Sequence, residues 1–70
     1  MDMDYKEIDR EKIMSFISAR DGECAVADII SESGAEKLRV YPILAEESLA
    51  GHIVCVKEAS MGAPEVVKLA

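Results

Sequence analysis

The chain has 70 residues and a formal net charge of −6, from 14 acidic and 8 basic side chains. Half of the residues are hydrophobic (50%) and only 4% are aromatic, which excludes a disordered composition and predicts an aliphatic core. A single core of this size supplies roughly 3–5 kcal/mol of stability. We expect one domain, residues 9–70, preceded by a flexible acidic N-terminus, residues 1–8.

The cysteine and histidine content gives no indication of a metal site. A structural zinc site needs four N or S ligands at short paired spacings, whereas this chain has Cys24, Cys55 and a single His52. We expect free thiols, with a disulfide as the alternative, and no metal or cofactor. The N-terminus lacks the basic segment and apolar run of a signal peptide, and no apolar stretch approaches the ~18 residues of a membrane span. These features predict a cytoplasmic protein without membrane contact.

Asp9 is the expected N-cap of the first helix. Ile8 before it and Ile13 after it are spaced as a hydrophobic staple, and the apolar positions that follow keep helical spacing. Asp21-Gly22 ends this helix. A short connector, residues 23–25, leads into a second helix over residues 26–33, which Gly34 terminates as a left-handed C-cap.

The third helix, residues 36–50, contains Pro42. An internal proline loses one backbone hydrogen bond and clashes with the preceding turn, so we expect a kinked or locally distorted helix. The alternative is that residues 38–41 are extended and the helix starts later. In the helical interpretation, the positions directed toward the core are Leu38, Val40, Tyr41, Leu44 and Ala45.

A β-hairpin is predicted after Gly51. Residues 53–56 are β-branched or apolar, and residues 66–69 provide the antiparallel mate. The tip spans residues 59–64, with Met61 and Gly62 at its centre. Pro64 is placed at the start of the second strand, where a missing donor is tolerated.

The order helix, helix, helix, hairpin resembles the winged helix-turn-helix domain of small bacterial and archaeal transcription regulators. The resemblance is carried by residues 26–34 as the positioning helix, Gly34-Ala35 as the turn, and Leu44 with Gly51-His52-Ile53 as the exit into the wing. It implies an α+β fold of three helices with a C-terminal β-hairpin wing, and often a brief strand at the connector before the second helix.

The resemblance also implies a double-stranded DNA partner, with the third helix in the major groove and the wing on the backbone. Lys37, Arg39 and Tyr41 are the residues that would face the nucleic acid from the helix. Lys57 and Lys68 would contact phosphates from the hairpin. The function predicted on this basis is that of a DNA-binding transcriptional regulator.

The net charge of −6 argues against strong nucleic-acid binding, since non-specific affinity comes from bases neutralising phosphates. The alternative is a winged-helix module for protein–protein contact or homodimerisation, which an exposed patch of residues such as Leu49, Met61 and Val66 would favour. Glu46-Glu47 is interpreted as a solvated helix face rather than as acid–base machinery, because adjacent helical residues point in different directions. No residue has the surroundings of a nucleophile, so we expect no enzyme activity.

Overall fold

The computed structural model describes residues 4–60 and 62–70. Its elements follow in the order α1 (Tyr5–Ala19), β1 (Glu23–Ala25), α2 (Val26–Glu32), α3 (Lys37–Leu49), β2 (Ile53–Glu58) and β3 (Pro64–Leu69). These three helices and one three-stranded antiparallel sheet confirm the predicted α+β class. Across the described residues, no helix has both the length and the apolar character needed to cross a membrane.

Helix α1 begins earlier than the sequence suggested. Its N-cap is Asp4, whose side chain accepts a hydrogen bond from the backbone N–H of Glu7 at 3.1 Å. The predicted N-cap at Asp9 and the staple between Ile8 and Ile13 are therefore wrong, because Asp9 lies buried inside the helix with a tertiary partner described below. Residues 5–8 are helical, and residues 1–3 of the predicted flexible segment lie outside the described residues.

The stop signals after the first two helices act as predicted. Asp21 and Gly22 follow α1 with φ of 62° and 84°, and Gly34 follows α2 with φ of 85°. This left-handed region is one that glycine enters without steric cost and that aspartate tolerates better than most residues. The connector Glu23–Ala25 is a strand, β1, which pairs with β3.

Helix α3 is continuous through Pro42, so the alternative of extended residues 38–41 is wrong. Proline has no N–H to donate to the carbonyl of Leu38, four residues earlier. Both residues lie on the exposed side of the helix, where water satisfies that carbonyl at little cost. The helix then ends at Leu49, and Gly51 with φ of 82° turns the chain into β2.

Strand β3 lies at the centre of the sheet, between β1 and β2. Val67 is opposite Cys24 on one side and Cys55 on the other, and this row faces the helices. The two cysteines are free thiols, as expected, and Cys24 is buried. The predicted hairpin is confirmed, including Pro64 at the start of its second strand. The part of the tip assigned to Met61 lies outside the described residues.

The core is aliphatic and draws on all six elements. Its buried members pack between the helices and the inner face of the sheet: Ile13, Ile17, Cys24, Val26, Ile29, Ala35, Val40, Ile43, Leu44, Ile53 and Val67. Full burial of a valine, leucine or isoleucine side chain contributes about 1.5–3 kcal/mol. This core holds α3 against the sheet, with one face of the helix left outside.

Candidate functional site

Helix α3 presents an apolar stripe to solvent. Its buried residues are Val40, Ile43, Leu44 and Glu47, which lie on one face of the helix. The opposite face carries Leu38, Pro42, Ala45 and Leu49, all exposed, and we call these four residues the outer ridge.

Leu38 is 81% exposed and Leu49 is 90% exposed. The predicted core positions Leu38, Tyr41 and Ala45 are therefore wrong, because helical spacing turns all three away from the buried face. The spacing of the outer ridge is nevertheless visible in the sequence as a second apolar stripe, on the side of α3 opposite to the core.

An apolar groove runs along one side of the outer ridge. It lies between α3 and the β-hairpin and has a volume of about 450 Å³. Its lining is almost entirely apolar and consists of Tyr41, Leu44, Ala45, Ser48, Ile53, Cys55, Ala63, Pro64 and Val67. We call it the hairpin groove. A smaller cavity of about 230 Å³ on the other side of the ridge is lined by Lys6, Leu38, Arg39, Pro42 and Ile43.

Arg39 makes an ion pair within its own chain. Its Nη1 atom lies 2.9 Å from Oδ2 of the buried Asp9, and its guanidinium carbon lies 5.6 Å from the centre of the Tyr5 ring. A guanidinium held by α1 in this way is less available for the bidentate guanine contact that the resemblance implies. The interaction joins α1 to the start of α3, which gives Arg39 a structural role.

The hydrogen bond from Arg39 lowers the pKa of Asp9 below its ordinary value of 3.8, against the opposing effect of burial. The backbone N–H of Glu36 also donates to this carboxylate and lowers its pKa further. A lowered pKa means that the folded state favours the carboxylate. The stabilising contribution is therefore complete above the ordinary value and is lost as the pH falls through the lowered one.

Asp9→Asn is expected to destabilise the domain at neutral pH, because the amide cannot form the ion pair with Arg39. The difference from the native chain should shrink as the pH falls below 3.8, since the native carboxyl is then itself protonated. Urea unfolding at a series of pH values measures this. The control is Asp21→Asn, at an exposed position after α1. A deficit in Asp9→Asn that stays constant with pH would contradict a stabilising role for the carboxylate.

The remaining predicted nucleic-acid contacts lie on three elements, α3, β2 and β3. Lys37 is exposed at the first residue of α3, and Tyr41 is partly exposed on the hairpin groove. Lys57 lies 3.5 Å from Glu65 across the hairpin. Lys68 is exposed on the central strand, directly opposite Glu23 of β1.

A charged network connects α1 with the end of α3. Arg10 contacts both neighbouring glutamates, with Nη2 at 2.6 Å from Glu46 and Nε at 2.9 Å from Glu47. Lys6 also pairs with Glu46 and, as the main cause, lowers the pKa of that carboxyl. Nδ1 of His52 lies 2.6 Å from Glu47. The interpretation of Glu46-Glu47 as a solvated face is thus wrong for Glu47, which is buried.

Cys24, on β1, is a buried free thiol. Burial raises the pKa of the Cys24 thiol, which lowers the fraction of nucleophilic thiolate at neutral pH. Among residues 4–60 and 62–70, no group of three or more His, Cys, Asp or Glu side chains is placed to hold a metal ion. Along α3, the described residues provide an exposed apolar surface with charged side chains beside it.

No family model matches the chain, and neither a curated protein nor a solved structure does.

Proposed function

We propose that the chain is a winged-helix domain. Its element order, with a short strand between the first two helices and a C-terminal hairpin, supports this assignment. So does the strand order β1-β3-β2, in which the connector strand pairs with the second strand of the hairpin. In this arrangement α3 corresponds to the recognition helix and β2–β3 to the wing.

We further propose that this domain serves as a protein–protein interaction module, with α3 and the hairpin groove as its contact surface. The outer ridge carries the proposal. A helix that reads DNA directs basic and polar side chains outward. On α3, the face opposite the core instead carries Leu38, Pro42, Ala45 and Leu49. Docking of exposed apolar residues and an adjacent apolar groove against another apolar surface removes them from water, and this burial stabilises the complex.

Site-specific photo-crosslinking tests this function. A photoreactive benzophenone amino acid replaces Leu49 on the outer ridge or, as the control, the exposed Ser18 of α1. Protein adducts are expected from position 49 and not from position 18. Each partner identified by mass spectrometry is then purified, and Leu49→Lys should abolish its binding. Equal labelling at both positions, or none at position 49, would overturn the proposal.

Double-stranded DNA binding is the second candidate. It is favoured by three lysines, Lys37, Lys57 and Lys68, that remain exposed on α3 and the hairpin. Three phosphate contacts predict a slope of only about −2.7 for log K against log salt, and hence weak binding.

Titration of isotope-labelled protein with a mixed-sequence duplex at low salt tests the second candidate. Amide signals of these lysines and of the hairpin are expected to move, and the shifts should fade as salt is added. Unchanged spectra at low salt would remove this candidate without affecting the first.

A further inference from the structure

The spacing between successive residues of the outer ridge is the same whether the helix is followed from its N-terminus or from its C-terminus. Leu38, Pro42, Ala45 and Leu49 are separated by four, three and four residues, with the two large side chains at the ends and the two smaller ones inside. This is the a/d spacing of a coiled-coil seam, and it extends over about three helical turns. A second α3 laid antiparallel on the first presents the same sequence of large and small residues.

We propose that the occupant of this surface is a second copy of the chain, packed with its α3 antiparallel to the first across a two-fold axis between residues 43 and 44. This inference rests on the proposed protein-interaction function and names its partner. Leu38 of each copy then meets Leu49 of the other, and Pro42 meets Ala45 of the other. The small central residues allow the helix axes to approach closely, as in other two-helix seams.

The charges at the rim favour the antiparallel orientation. Arg39 and Glu46 lie on the same side of the outer ridge, near opposite ends of α3, and their side chains are 42% and 43% exposed. Each already has an ion-pair partner on α1 of its own chain, Asp9 for Arg39 and Arg10 for Glu46. Antiparallel packing brings the exposed part of Arg39 beside Glu46 of the other copy, which extends these ion pairs across the interface, and symmetry produces this contact twice. The two helix dipoles are also opposed, which places Lys37 of one copy near the negative C-terminal end of the other α3.

The grooves beside the ridge extend the contact. Tyr41 and Ser48 line the hairpin groove of one copy and lie on the same side of its α3, so the antiparallel partner places its own pair opposite them. Helix α3 has 13 residues and is about 20 Å long, which makes the seam short. An interface of this kind is at the small end for stable complexes. We therefore expect dimers at roughly micromolar or higher concentration.

Sedimentation equilibrium over a wide range of protein concentration tests the dimer. The mass is expected to rise from 7.6 kDa toward twice that value as the concentration increases. Leu49→Lys should weaken self-association at least about tenfold, because symmetry places the buried charge in the interface twice. Val56→Lys is the matched control, since it changes an exposed apolar residue outside α3 and should leave the dimer intact.

Cysteine pairing tests the orientation. Leu38→Cys and Leu49→Cys chains, each also carrying Cys55→Ser, are mixed and oxidised. The mixed disulfide is expected to exceed the half share of random pairing, whereas a parallel dimer would give mainly like-with-like disulfides and overturn the antiparallel geometry. A native chain that stays at monomer mass up to millimolar concentration would overturn the dimer. Crosslinks from position 49 to another protein would then still support the interaction function.

Discussion

Leu44→Ala is expected to leave the domain largely unfolded. Leu44 is 1% exposed and packs in the core between α3 and the sheet. Truncation of a buried leucine removes its transfer free energy and leaves a cavity, at a cost of about 2–5 kcal/mol. The single core of a 70-residue domain supplies only roughly 3–5 kcal/mol, so the substitution removes most or all of the free energy of unfolding.

The control for this prediction is the same substitution five residues further along the same helix. Leu49→Ala removes a side chain that is 90% exposed, and we expect the free energy of unfolding to change by no more than about 0.5 kcal/mol. Urea unfolding followed by circular dichroism measures both variants, at a protein concentration low enough to keep the chain monomeric. Similar unfolding midpoints for the two variants would be inconsistent with the described packing of α3.

Glu47→Ala is expected to cost about 1–3 kcal/mol, although glutamate-to-alanine changes on a helix are usually mild. Glu47 is buried, and its carboxylate lies within 2.9 Å of Arg10 and 2.6 Å of His52. The Nε atom of Arg10 is also buried and forms no well-aligned hydrogen bond with any described residue. Removal of the carboxylate beside Nε leaves this buried atom without a compensating negative charge, which is the origin of the cost.

Glu46→Ala is the matched control, because it changes the adjacent residue of the same type. Glu46 is exposed, and water replaces its partners when the side chain is removed. Thermal unfolding at neutral pH compares the two variants, and only Glu47→Ala should lower the midpoint clearly. Equal midpoints would show that burial does not distinguish the two glutamates.

The residues of α3 that stabilise the fold and the residues proposed to bind a partner lie on opposite faces of the helix. The inner face, with Leu44 and Glu47, holds the helix on the core and on α1. The outer ridge, with Leu38 and Leu49, can be changed at little expected cost to folding. Variants of the ridge therefore test partner binding in a folded protein.

Local signals in the sequence predicted most of the fold. Gly34 and Gly51 mark helix ends because their positive φ is intrinsic to glycine, and the β-branched run after Gly51 predicts a strand. The connector Glu23–Ala25 was recognisable through the family resemblance, and it does pair with β3. The apolar positions with helical spacing in the first helix include Ile13 and Ile17, and both are buried in the structure.

The candidate site was less predictable, because its properties depend on which neighbours each side chain meets. The sequence alone determined that the chain is a small acidic α+β domain with an aliphatic core. Only the tertiary structure decided that α1 starts at Asp4 rather than Asp9, that Arg39 turns to Asp9, and that Glu47 is buried while Leu38 is exposed. A helix with apolar residues on two opposite sides has no local signal for which side faces inward. That choice is made by the packing of α1 and the sheet against α3, through contacts between residues distant in sequence.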